Sequence, residues 1–175
     1  MEKLLFSILF MALLGILIHT SSSAQRVGEQ AEMDRLERQA ENLAAQNDPE
    51  GAALAIGKAA MMADLLIQKA QKPDAKIVFQ AASSQYRGQE LGLRALALFE
   101  QTGGNPPAPP GICHYLFQGH QKLHASKNLL HSLPSSSSRE TKGRQKNLGQ
   151  KNMEWRNLLK DLQGEFECQA PHPEN

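Results

Sequence analysis

With 175 residues, 19 basic and 18 acidic side chains and a formal net charge of +1, the chain is long enough for one domain with a real core and too short for two comfortable ones. Bulk electrostatics nominates no polyanionic partner. Only two cysteines are present and they lie far apart, so no C-x-x-C redox centre exists.

Leu4 to Ile18 is an apolar run preceded by Lys3 and followed by small and polar residues that include Ser22 and Ala24. This is the layout of a secretory signal, and it predicts a signal peptide over 1–24 with cleavage after Ala24. The run is short for the roughly 20 residues of a membrane span, so an uncleaved anchor, which would make the protein a membrane-tethered helper, is the lesser alternative. The expected location is outside the cytoplasm: periplasmic if the organism is bacterial, otherwise secreted.

The remainder, 25–169, reads as a single all-α domain, a helical bundle of four to five helices built from two packed helical hairpins. From Glu29 to Asn47, Met33, Leu36, Ala40 and Leu43 recur by threes and fours on an otherwise charged helix. So narrow a stripe suits one partner helix. It predicts a peripheral helix packed on the bundle or on another copy of the protein, with these four residues as the partner-binding surface.

Asp48-Pro49-Glu50 is a helix start, with Asp48 as cap, Pro49 at the first position and Glu50 facing the positive end of the dipole. Lys72-Pro73 is the stop. Between them the residues are apolar on nearly every face, interrupted by Gly57, Lys58, Asp64, Gln68 and Lys69. A helix of that kind belongs inside a structure, and this one is predicted to be the central helix. Asp74 then caps a returning helix whose inward face carries Ile77, Val78, Phe79, Ala82, Tyr86, Leu93, Leu96 and Phe99. Gly88 and Gly92 weaken its middle, leaving one long helix or two shorter ones.

Phe79, Ala82, Tyr86, Ala95, Phe99 and Pro107 fall where a tetratricopeptide repeat carries its bulky, small, aromatic, small, aromatic and proline positions. The stretch resembles one such unit, and the resemblance implies two helices turning near Gly88 to Leu91. Ser83 and Thr102 depart from the pattern, and the adjoining repeats would put Pro49 inside a helix and Pro134 just past a bulky position. A solenoid needs several repeats to bury its faces, so the chain is not assigned to that family.

Gly103 and Gly104 end the helix, and 103–111 is a Gly/Pro-rich linker. Ile112 to Ser132 forms a fourth helix with Ile112, Leu116, Leu123 and Leu130 on one side. After the Ser135 to Ser138 turn, Ser137 and Glu140 have capping-box spacing, but Gly143 and Gly149 predict a poor helix until about Gln150. Trp155, Leu158, Leu159, Leu162 and Phe166 then recur at helical spacing, and 170–175 is a proline-broken, disordered tail. Folding the last two helices about the serine turn brings Cys113 near Cys168, predicting a disulfide. Two free buried thiols are the alternative.

No H-E-x-x-H, G-x-S-x-G or G-x-x-x-x-G-K-[ST] occurs, and the chain is expected to be non-enzymatic. His120 and His124 stand one turn apart, a spacing that lets two imidazoles share a Zn or Cu ion, with Glu165, Glu167 or His172 as the third ligand. The basic run Arg139, Lys142, Arg144, Lys146 and Lys151 lacks interleaved aromatics, so it does not read as a nucleic-acid binder. An anionic membrane surface fits it better, and a solvated linker is the plainer reading. The acid-rich 25–50 segment carries the charge to attract it. The expected function is an exported module that binds or scaffolds another envelope or secreted component or a second copy of itself, with metal binding through the histidine helix as the alternative.

Overall fold

The computed structural model describes residues 28–169. They form five helices, with no strand among the described residues: α1 (28–45), α2 (Pro49–Lys69), α3 (Pro73–Gln101), α4 (Pro110–His131) and α5 (Arg139–Glu165). The expected signal peptide, the tail from 170 onward and His172 lie outside the described residues.

The helix ends follow local chemistry. The Asn47 and Asp48 amides donate to the Ala44 and Leu43 carbonyls, with Asn47 at a positive φ of 60°, which closes α1 in a left-handed turn. Asp48 then accepts from the Gly51 amide at 2.8 Å and starts α2, so two residues end one helix and begin the next. At the end of α3, Gly103 (φ 98°) and Gly104 (φ 66°) donate to Glu100 and Phe99 in the same arrangement.

The central helix is α3, correcting the expectation for α2. α3 is one unbroken helix of 29 residues and packs against α2, α4 and α5. The two-helix alternative, and with it the tetratricopeptide-like turn at Gly88 to Leu91, does not occur. Its glycines are contact points instead. A Cβ on Gly88 would sit 2.9 Å from the Gly119 carbonyl oxygen, and one on Gly119 would sit 2.9 Å from the Gly88 oxygen. α3 and α4 therefore approach backbone to backbone. At Gly92 the missing side chain makes room for Leu159 of α5.

α2 lies at the edge. Ala52, Ala59, Ala60 and Ala63 are fully buried, as are Ala81 and Ala82 of α3, so α2 and α3 pack through small residues. Asp64 of α2 accepts from the Ser83 hydroxyl at 2.6 Å and from Arg87 at 2.5 Å.

α5 begins at Arg139, well before the Gln150 that Gly143 and Gly149 suggested. Ser138, rather than Ser137, caps it by accepting from the Thr141 amide. Asp74, in the first turn of α3, accepts from the Thr141 hydroxyl at 3.1 Å and from the Ser138 amide, so it anchors α5, while the N-cap position of α3 is held by Lys72 without a side-chain bond. Burial works to raise the Asp74 pKa, but these bonds and one from the Ala75 amide outweigh it and hold the carboxyl below its ordinary value.

Cys113 and Cys168 are joined by a disulfide at the open end of the α4–α5 hairpin. Phe166 stacks on Phe99 with ring centroids 3.8 Å apart, and its carbonyl accepts from the Ala108 amide. The linker is thus tied to the end of α5. Two clusters of buried side chains fill the interior, one mainly from α1 to α3 and joined by Leu130 of α4 and Leu148 of α5, the other around the disulfide end, and Trp155 packs against both.

Candidate interaction surface

The stripe on α1 is occupied within the chain. Met33, Leu36 and Ala40 are 1%, 6% and 4% exposed, and Leu43 packs on the same cluster. These residues are therefore core, correcting their expected role as a partner surface. A helix with a narrow apolar stripe needs one groove, and here its own bundle supplies it.

Charges hold α1 in that groove. Lys151 donates to Glu37 at 2.9 Å and to Glu41 at 2.6 Å, Arg144 lies 3.5 Å from Asp34, and Lys69 pairs with Glu29. The acid-rich segment and the basic run do attract each other, as their charges suggested. The buried Tyr86 hydroxyl donates to Glu37. Desolvation first, then the Glu37 and Asp34 charges, pushes its pKa well up, so Tyr86 stays a neutral donor. Burial opposes the charge on Lys151, yet its bonds to Glu41 and Glu37 raise its pKa overall.

This network changes the reading of the basic run. It forms the first turns of a capped helix, so it is not a mobile linker, and Arg144 and Lys151 are engaged with α1. Arg139, Lys142 and Lys146 remain exposed.

On α4, His120 and His124 are neighbours, with ring centroids 5.4 Å apart. His120 is half-buried and His124 exposed. The Arg156 guanidinium lies 3.3 Å from His124 Nε2. Burial, then the charges of Arg156 and His124, lowers the His120 pKa. Among the described residues no three His, Cys, Asp or Glu side chains converge, so Glu165 and Glu167 do not complete a set. The pair offers two donors beside a fixed cation, which repels a metal ion.

What the sequence reading missed is the outer face of α2. Leu54, Met61 and Leu65 are 58%, 63% and 43% exposed. They stand in a row with Glu50, Lys58 and Lys69, which are also exposed, and at 100° per residue the six fall within about 100° of the helix circumference. A groove of about 590 Å³ runs on one side, between α2 and α1, floored by Leu36, Leu43 and Met62 and edged by Arg35 and Lys58. A smaller one of about 260 Å³ lies on the other side, toward Leu98 and Tyr115. The signal was available: Glu50, Lys58 and Lys69 share one side of the wheel, which marks that side as solvent-facing however apolar its neighbours are.

No family model, curated protein or solved structure matches this chain.

Proposed function

We propose that the protein is a non-enzymatic, exported helical module that binds or scaffolds another component through the outer face of α2. The observation carrying this reading is the row of large apolar side chains, Leu54, Met61 and Leu65, left in solvent on a bundle that buries its alanines. A ridge of this kind, with an apolar groove beside it, suits an apolar helical face, and methionine at such a surface adapts to its partner's shape. The disulfide and the apolar N-terminal run support export, and no helix among the described residues is long and apolar enough to cross a membrane.

A photo-cross-linking residue at Met61, compared with one at the exposed Lys122 of α4, tests the surface in the native host. Adducts are expected from position 61 and not from 122. Equal labelling at the two positions, or labelling at neither, refutes the assignment.

A further inference from the structure

We infer that the α2 face takes a second copy of this chain, packed antiparallel about a two-fold axis that crosses the exposed face at the level of residues 59 and 60. The inference rests on the α2 face being the contact surface, and it adds the partner and the register.

The side chains along the exposed face follow a symmetric order: Glu50, Leu54, Lys58, Met61, Leu65, Lys69. The spacing is the same from either end, and the centre of the row falls between residues 59 and 60. Rotating a copy about that centre places Leu54 against Leu65 of the second copy, Lys58 against Met61, and Glu50 against Lys69, each contact occurring twice as a two-fold interface requires. Apolar meets apolar at the two Leu54–Leu65 pairs, Lys58 lies over Met61 at the centre, and opposite charges meet at both ends. The parallel arrangement would put Glu50 against Glu50 and Lys69 against Lys69, which like-charge repulsion disfavours.

Helix geometry fits the same arrangement. The row is built from i+4 steps on either side of its centre, so it winds slowly around α2. Two such rows come into line when the helices cross at the roughly −50° of i±4 ridge packing. Lys58, beside the two-fold axis, lies at the α1 groove lined by Glu32. Its stem can cover Met61 of the second copy while its ammonium reaches outward toward that carboxylate, which already accepts from Arg35 at 2.7 Å. Lys69 already pairs with Glu29, yet its side chain is 40% exposed and keeps further N–H donors for a second carboxylate. Glu50 receives only a 3.5 Å contact from Gln101 and is otherwise open. A helix of 21 residues is about 32 Å long. A strip of that length and the ~10–12 Å width of a helix offers on the order of 350 Å² per copy, about half the ~800 Å² per partner of a standard interface, which suits a weak, concentration-dependent dimer.

Sedimentation equilibrium on the purified, oxidised protein tests the inference. A dimer is expected to form at concentrations up to about 100 µM, with Met61→Asp weakening it at least ~10-fold. Glu50→Lys and Lys69→Glu should each weaken it, and the double variant, which restores opposite charges, should recover it. Melting curves establish that each variant is folded. A wild-type protein that stays monomeric throughout overturns the second copy as partner, and adducts from position 61 to a different protein would then still uphold the surface. A dimer indifferent to Met61→Asp overturns both. A dimer lost in Met61→Asp but not recovered by the double charge variant overturns the antiparallel register.

Discussion

Glycine does opposite things at different positions of this chain. At Gly88 and Gly119 the hydrogen in place of a side chain lets two backbones touch, and a methyl at either position would meet a carbonyl oxygen at 2.9 Å. Gly143 and Gly149 have nothing within 4 Å of a Cβ and only weaken α5. Gly88→Ala should therefore destabilise the protein by about 1–3 kcal/mol through overpacking, although alanine is the better helix former. Gly143→Ala should stabilise it by up to about 1 kcal/mol. Urea denaturation of the two variants checks the contrast, and equal shifts would remove the close approach of α3 and α4 as its cause.

Asp74 shows what a single carboxylate does for whole elements. It sits in the first turn of α3 and holds the start of α5 through Thr141 and Ser138. Its folded pKa lies below the ordinary 3.8, so its contribution is complete above that value and is lost as pH falls through the folded pKa. Asp74→Asn should melt at a lower temperature than wild type at pH 7. The gap should narrow as pH falls below 3.8 and through the lowered folded pKa, where the wild-type carboxyl takes up its proton. A gap that does not change with pH would show that the carboxylate charge is not what joins the two helices.

Helix boundaries that rest on local chemistry were legible in the sequence. Asp48-Pro49 and Gly103-Gly104 act within a turn, and the cysteine pairing followed from one hairpin. The start of α5 was not legible, because two glycine penalties of about 1 kcal/mol each are overridden by Asp74, 67 residues away in sequence. The buried and exposed faces were misread because apolar content alone does not say which residues face inward. On α2 the alanines are buried, since α2 and α3 are closely packed, while Leu54 and Met61 point out. On α1 the opposite error followed: a stripe suited to a partner found one in its own bundle.

For the molecule as a whole, α3 is the wall shared by both cores, and the disulfide closes the α4–α5 side of it. The bridge spans 55 residues. On the chain-entropy account, replacing both cysteines by serine should cost about 4 kcal/mol. Chemical denaturation of the double variant measures this, and an unchanged midpoint would mean that the hairpin is held by packing alone. The same bond also sets how the chain would bear tension. Pulled from its two ends, it would carry the load from Cys113 directly to Cys168, and the residues between them would bear none. α1, α2 and α3 can then be drawn out in turn, whereas α4 and α5 stay slack. A reducing agent would release a further 55 residues, about 190 Å of hidden length at full extension.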